Sequence, residues 1–576
     1  MLDIEANGLH PDKIWVIVAK DIKNGTNNIF LADEISRFGD WCRDHNVCNI
    51  IGHNVLGYDI PVMEKLIPNF TWPKEKVEDT LVMSRLANPQ REGGHSLDSW
   101  GERLEFPKGE HNEWDKFSWE MVEYCQRDVE VTTKVYEQLQ IELEGFSSES
   151  VELEHYIADI IHQQVVNGWT LDERKSNLLL GDLRQKIHDV ETVVRETFKP
   201  LPVFIKLNHP GDKMYTKDGT VSKRYRNQLD KGAHFNSKNE WGHIIYPVFN
   251  LGSRKQIAKY LQHFGWKPKQ FTDKGNVIVN ESVLTEVEIP EAKLIAEYLM
   301  LQKRIAQVQS WVDALEIDGR VHGYVNPIGA VTGRMTHSSP NLAQVPASYS
   351  PYGKECREVW TVPEGYILVG VDASGLELRM LAHYMNDKKY TEEILNGDIH
   401  ETNRVAAGLQ SRDQAKTFCY AFLYGAGDGK IGSITGGSAK QGRELKERFL
   451  DNTPSLKTLR ARVGEAAKRG YLKGLDGRKI WVRSEHSALN TLLQGAGAIV
   501  MKKALTIFTE RANIKGIRYK LLGSIHDEYQ LEVQDGQADQ VGQLMVDSII
   551  NAGREFNMNC PLDGEYKSGD NWDATH

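Results

Sequence analysis

Tyr366-Ile-Leu-Val-Gly-Val-Asp372-Ala-Ser-Gly-Leu-Glu377-Leu-Arg379 is a β-rich run that ends on an aspartate and turns through a glycine into a helix-like continuation. A carboxylate at such a strand end sits at the mouth of a sheet. Downstream, Tyr519-Lys-Leu-Leu-Gly-Ser-Ile-His526-Asp527-Glu528-Tyr-Gln-Leu-Glu-Val533 has the form of a hairpin, two apolar strands with acidic residues at the turn. If that turn lies beside the end of the first strand, Asp372 and Asp527 come together. Such a pair can hold two divalent cations in the arrangement suited to in-line phosphoryl transfer.

Between these segments lies Arg412-Asp-Gln-Ala-Lys416-Thr-Phe-Cys-Tyr420-Ala-Phe-Leu-Tyr424-Gly425. Arg412, Lys416, Tyr420 and Tyr424 are spaced by four, so on a helix they form one slowly drifting stripe, cations first and aromatics after. That order matches a nucleotide, with Arg and Lys on the phosphates and a ring at the sugar and base. Gly425 and Gly427 are expected to end the helix. An amphipathic helix with a cationic rim would look the same without the flanking aspartates.

A second carboxylate set opens the chain. In Asp3-Ile-Glu5, on a strand, the two acids share a face while Ile4 packs behind. Gly52-His-Asn54-Val-Leu-Gly-Tyr-Asp59 and Tyr124-Cys-Gln-Arg-Asp128 supply the further acids that a pair of hard cations needs. Tyr124, four residues before Asp128 on a helix, shares its face and is placed to orient an attacking water. Each piece alone is weak; their order over the first part of the chain is not. A strand that begins only two residues before Asp3 is expected to fray.

Bulk properties fit this reading. At 576 residues several domains are expected, and 40% hydrophobic with 26% charged residues is ordinary globular composition. No apolar run is long enough to span a bilayer, and an acidic N-terminus argues against a signal peptide, so a cytoplasmic protein with no membrane partner is expected. Six cysteines without CxxC spacing suggest reduced, mostly buried thiols. A net charge of −10 counts against nucleic-acid binding unless cations cluster and the surplus acid lies in metal sites.

The chain divides into four stretches. An α/β layer runs to about Gly145, followed by a helical region. Leu180, Leu183, Ile187, Val190 and Val194 recur at helical spacing there, as do Leu294, Tyr298, Leu301, Ile305, Val308 and Val312. A Gly/Pro/Lys-rich segment from Phe198 to Phe249 interrupts it, closed by the capping-box pattern Ser253-Arg-Lys-Gln256. Strands and helices alternate again from about Leu315.

Together with Gly329-Ala-Val-Thr-Gly-Arg334, Asn396-Gly-Asp-Ile-His400, Phe422-Leu-Tyr-Gly-Ala-Gly427, Lys473-Gly-Leu-Asp-Gly-Arg478 and Asn490-Thr-Leu-Leu-Gln494, these segments resemble family A (DNA polymerase I-like) DNA polymerases, in particular the replicative enzymes of short-tailed (podovirus) phages. The N-terminal motifs resemble the tyrosine-bearing branch of the DEDD proofreading exonucleases. The resemblance implies an α/β multidomain protein: an RNase H-like 3′-5′ exonuclease domain at 1–145 and a right-hand polymerase after it. The thumb would occupy 146–315, with a basic insertion at about 198–249; the palm 316–384 and 490–576; the fingers 385–489. It implies template-directed DNA synthesis by a two-metal-ion mechanism, with proofreading. Two Mg2+ per active site are expected, Mn2+ being able to substitute.

It also implies roles residue by residue. Asp372, Asp527 and the Ala373 carbonyl would hold the palm metals, with Glu528 close by. Arg412, Lys416 and His400 would contact the triphosphate, and Tyr420 would pack on the sugar. Glu377 would occupy the space of a ribose 2′-OH, and Tyr424 would lie near the templating base. Arg334, Gln494 and His526 would touch DNA. Asp3, Glu5, Asp59 and Asp128 would hold the exonuclease metals, with Tyr124 beside them. A single-subunit RNA polymerase has no use for Glu377, a free-standing nuclease explains only the first 145 residues, and a silent scaffold needs no Asp372–Asp527 pair.

Expected partners are primer-template DNA, dNTPs and a replicative helicase-primase. The insertion carries nine Lys/Arg against four acids between Lys199 and Glu240, a local +5. Met214-Tyr-Thr-Lys-Asp218-Gly219-Thr-Val-Ser-Lys223 within it has the form of a hairpin with an Asp-Gly turn. A solvated loop is one reading; direct contact with DNA is favoured. A thioredoxin-like processivity factor, as bound by the thumb insertion of related phage polymerases, stays open.

Overall fold

A computed structural model describes residues 1–272, 274–280, 283–284 and 287–576. The chain forms two compact units, residues 1–172 with 314–576, and residues 173–313.

In the first unit, strands Leu2–Ala6, Ile14–Lys20 and Asn27–Leu31 pair antiparallel in chain order, and Ile50–Gly52 pairs parallel with Val77–Asp79. The run Ile14–Lys20 is apolar on both faces because both are covered. Val16 and Val18 pack against Met121, Cys125 and Val129 of helix Trp119–Glu142, while Ile14 and Ile17 join a cluster with Phe38, Ile60 and Met63 on the other side. Leu2 and Ile4 face that second cluster, which sends Asp3 and Glu5 toward the long helix. The expected fraying of this strand does not occur. The Met1 ammonium donates to the Lys20 carbonyl at 2.8 Å, and the Lys20 N–H returns a bond to Met1.

The same unit holds a four-stranded antiparallel sheet in the order Tyr519–Ile525, Glu528–Gln534, Tyr366–Ala373, Gly564–Gly569. The predicted strand and hairpin therefore lie side by side. The last strand was not anticipated, because Gly564–Gly569 shows no apolar alternation. Helix Ala488–Ile514 is buried almost all round, its Gly495-Ala-Gly-Ala498 stretch admitting close neighbours on every side. Five of the six cysteines are buried; Cys48 is exposed.

Helices Glu173–Thr197 and Pro290–Asp313 pack together in the second unit. The first buries Leu180, Leu183, Val190 and Val194 as expected; the second buries Leu301 and Val308 of the expected stripe, but Ala292, Ile295, Arg304 and Trp311 take the remaining buried places, leaving Leu294, Tyr298, Ile305 and Val312 part-exposed. Between them the basic segment is ordered. Strands Val203–Lys206, Trp241–Ile245 and His234–Phe235 form a small sheet, and helix Lys223–Leu229 lies against it through Tyr225, whose ring meets Trp241 and His209. The Asp218-Gly219 hairpin forms, with Gly219 at φ +82° and Thr216 N–H donating to the Thr220 carbonyl at 2.8 Å. Phe198 and Phe249, which bound the segment, stack with ring centroids 4.7 Å apart. Ser253 caps its helix, but the reciprocal half of the capping box is absent. Gln256 Oε1 instead accepts from the Asn250 N–H at 2.8 Å and closes the preceding turn.

Four buried charges tie the first unit together. Glu154, on helix Ser148–Asn167 and fully buried, accepts from Lys502 at 2.7 Å and from Arg478, which also chelates Asp476 at 2.6–3.0 Å. Burial pushes the Glu154 carboxyl up, yet Lys502 and Arg478 together hold it below its ordinary value. Lys502 is pushed down to about 8 by burial. Removing the central acid strands Lys502 without a carboxylate, a loss of about 3–5 kcal/mol for a broken buried pair. Glu154→Ala should therefore lower the urea midpoint of this unit clearly, whereas Lys457→Ala, in an exposed pair with Asp451, should leave it within error.

Candidate active sites

The N-terminal site is built where strand Leu2–Ala6 meets helix Trp119–Glu142. Asp3, Glu5 and the Cys125 sulfur bring their ligand atoms within 4.8 Å of one another. Asp59 enters from the first turn of helix Asp59–Leu66, its Oδ1 accepting the Ile4 N–H at 3.1 Å. Asp128 is buried on the long helix, where Lys108 Nζ pairs with one oxygen at 2.9 Å and lies 4.8 Å from the Tyr124 ring centre. The other oxygen, Oδ1, is buried with no hydrogen-bond partner.

So much negative charge out of water favours protonation. Burial, then Glu5, holds Asp3 well above its ordinary value. Burial, with Asp128 and Asp59 adding, pushes Glu5 up to about 9, and burial lifts Asp59 to about 8. Asp128 is raised by burial too, against the pull of Lys108. Four clustered carboxyls, one with an orphaned oxygen, are the donor set a pair of hard divalent cations requires. All five residues expected at this site converge. Lys108 was not anticipated: it lies in an irregular stretch without periodicity, and nothing local marks it.

At the second site, strand Tyr366–Ala373 delivers Asp372 opposite both Glu528 and Glu565 in register. The hairpin turn is His526-Asp527, with His526 exposed at φ +59°, and the Asp527 carbonyl accepts the Ala373 N–H at 3.1 Å. This bond brings the two predicted acids to one edge. Burial, then Asp527, pushes Asp372 up to about 7, and burial raises Asp527. Glu528 is differently engaged. Its buried carboxylate accepts from Trp572 Nε1 at 2.8 Å and from Gln530, with His576 at 3.5 Å.

Helix Arg412–Leu423 starts at Ser411, whose side chain accepts the Gln414 N–H, and Gly425 at φ +74° ends it; Gly427 instead caps the following helix, Asp428–Ser433. Arg412 and Lys416 are exposed, Arg412 bonded to Asp398 at 2.7 Å. Burial and the charges of Arg412 and Lys416 hold His400 below its ordinary value, which places these three basic groups together. His400 Nδ1 is buried and unpartnered. Tyr420 and Tyr424 stack 6.4 Å apart, and His400 lies 6.2 Å from Tyr420. Glu377 accepts from Tyr424 at 2.7 Å and from Arg334 at 3.2 Å. Gln494 sits half-buried on helix Ala488–Ile514. Glu565, which shares the face of Asp372, was missed with its strand.

The family model for DNA polymerase family A matches residues 221–574. The DNA-directed DNA polymerase of Escherichia phage T7 is 35% identical, the alignment covering 92% of each chain. That of Enterobacteria phage T3 is 35% identical over 100% of this chain and 99% of its own. The thermostable DNA polymerase I of Thermus aquaticus is 27% identical over 56% of this chain and 42% of its own. Among solved structures, the POL domain of Pol1 from M. smegmatis, in complex with DNA primer-template and dNTP, superposes with a TM-score of 0.79 at 18% identity, covering 100% of this chain and 96% of that one. The expected fold class, an RNase H-like α/β layer with a right-hand polymerase, is the one observed, and the resemblance read from the motifs holds. A family model that spans more than half of the sequence, together with full-length phage relatives, shows that this chain belongs to family A of the DNA polymerases.

Proposed function

We propose that this chain is a template-directed DNA polymerase that extends a primer at the Asp372/Asp527 site and removes mispaired 3′ ends at the Asp3/Glu5/Asp59/Asp128 site. The observation that carries it is the presence of two separate carboxylate clusters, a largely buried one at the N-terminal sheet and a half-buried one at a palm-like sheet edge beside a basic and aromatic helix. Divalent cations, Mg2+ being the natural choice for oxygen donors, supply Lewis-acid stabilisation of phosphoryl oxygens when bound.

The protein's own residues do the rest. Asp372, Asp527 and the Ala373 carbonyl would hold the cations, the first and last fixed by the sheet and Asp527 by a tight turn bonded to it through the Ala373 N–H. Arg412, Lys416 and His400 would clamp the triphosphate through charge-assisted bonds. Tyr420 would offer its ring to the sugar, while Glu377, anchored by Arg334 and Tyr424, would fill the space a 2′-hydroxyl needs. In the other site Tyr124 and Lys108 would orient the attacking water beside Asp128.

The two activities should be separable. Asp372→Ala or Asp527→Ala should lower primer extension by several orders of magnitude and leave 3′-5′ degradation of single strands intact. Asp3→Ala with Glu5→Ala should do the reverse. Near-normal extension by either palm variant would refute the assignment.

The raised carboxyls of the exonuclease site give a pH signature. With Glu5 near 9 and Asp59 near 8, both hold protons at about pH 7 in the absence of cations and must release them when cations bind. Mg2+ affinity should therefore rise as pH is raised from about 6 to about 9, and calorimetry in two buffers of different ionisation enthalpy should show net proton release. Proton-neutral binding would sink this reading of the site.

The basic segment is proposed as a DNA contact. Lys223, Arg224 and Lys231 line one cleft with His243, and none of the three lysine or arginine side chains has a carboxylate partner among the described residues. Reversing all three to Glu in the full chain should flatten the salt dependence of DNA affinity, the log–log slope falling by roughly 2–3 at about 0.9 per phosphate contact. An unchanged slope, with and without added thioredoxin, would make the segment a passive insertion.

A further inference from the structure

The exonuclease acids are held by a structure that none of the motifs contains. Asp59 follows residues 53–58, an irregular loop that belongs to no strand or helix. Asn54 sits in the left-handed region at φ +62°, and Gly57 packs so closely on it that a Cβ there would meet the Asn54 side chain at 2.5 Å. A loop in this shape needs an outside partner to fix it.

That partner is Asp79, the last residue of strand Val77–Asp79 and only 1% exposed. Its carboxylate accepts three backbone N–H groups. Those of Asn54 and Leu56 lie at 2.9 and 3.0 Å, and that of Leu81, in the helix Asp79 caps, at 2.9 Å. The Asn54 carbonyl in turn accepts from Gly57 and Tyr58, and Asp59 then reaches Ile4 beside Asp3 and Glu5. Each bond fixes the next, so the carboxylate of Asp79 sets where that of Asp59 stands without itself reaching the reacting atoms.

Asp79 is held in its turn from the other side. Its backbone N–H donates to Nε2 of His155 at 2.8 Å, and Nδ1 of that ring pairs with the Val151 carbonyl at 2.8 Å. The ring must therefore be neutral, with its proton on Nδ1. His155 follows Glu154, which is locked to Arg478 and Lys502. Adjacent residues of helix Ser148–Asn167 thus grip the polymerase half of the unit and the exonuclease loop.

We infer that Asp79 is a positioning residue of the exonuclease site and that His155 is the anchor holding it in place. The inference rests on the reading of that site as an exonuclease. Loss of a partner that orients a ligand of this kind lowers activity by roughly 10–100-fold. Asparagine at position 79 keeps the size but retains one acceptor oxygen, so one of the two loop N–H groups loses its partner.

The test uses the full chain and a single-stranded oligonucleotide with Mg2+. Asp79→Asn should lower kcat for degradation by about 10–100-fold, with KM within about twofold and primer extension unchanged. Amide hydrogen exchange in residues 53–59 should accelerate while the unfolding midpoint holds. His155→Gln, which keeps an acceptor, should degrade close to the unmodified rate, and His155→Leu should match Asp79→Asn. Normal degradation by Asp79→Asn, or equal loss in His155→Gln and His155→Leu, overturns the inference. Should Asp79→Asn lose extension as well, through misfolding, the two His155 variants decide it in the same way. Failure of the unmodified chain to degrade the strand overturns the exonuclease reading itself and this inference with it, an outcome visible in a different lane.

Discussion

The polymerase half depends on one strand being paired along both edges. Tyr366–Ala373 is bonded to Glu528–Gln534 on one side and to Gly564–Gly569 on the other, so Asp372 cannot shift register without breaking two ladders. The hairpin follows from it. Once its second strand is paired to Tyr366–Ala373, the two-residue turn has one place to go, and the Ala373–Asp527 bond records it. Helix Arg412–Leu423 then needs only to face that edge. Rigidity at the Asp372 end of the sheet is thus a property of backbone pairing, which side-chain substitutions on the surrounding helices do not easily disturb.

Both sites gather acid in places of low dielectric, and both sets of carboxyls are driven toward protonation by their own burial. A fold that tolerates this without cations keeps some of the groups neutral. Lys108 offsets part of the cost at the N-terminal site by pairing with Asp128, and Arg334 lies near enough to Asp527 to oppose its rise. The surplus of negative charge that argued against a DNA-binding protein at the level of composition is therefore partly internal, while the exposed cations gather on the second unit and on helix Arg412–Leu423.

What the sequence revealed was what local pattern encodes. Asp3-Ile-Glu5 on a strand, Asp372 at a strand end and Asp527 in a turn are set by a few neighbouring residues, and each stands where expected. The stripe on Arg412–Leu423 follows from helical spacing alone. Lys108, Asp79 and His155 escaped because their partners lie far along the chain, and no period or composition announces such pairings. Glu528 stands opposite Asp372 as the hairpin implies, but its hydrogen bond from Trp572, 44 residues further along, was not legible for the same reason. Helix Pro290–Asp313 shows the limit of periodicity, since Arg304 takes a buried place that a purely apolar count gives to a neighbour.

The stack of Phe198 on Phe249 has a consequence for how such a chain can change over generations. The rings bring the two ends of the basic segment together, so helix Glu173–Thr197 and helix Arg254–His263, whose Tyr260 packs on both rings, meet at the same junction whatever hangs between. Lengthening a closed loop is cheap, about 0.6 kcal/mol for each doubling. The junction therefore works as a socket: lineages can enlarge, shrink or exchange the appendage while the helices that carry it keep their packing, and novelty in the company a polymerase keeps can arise there without trial at either active site.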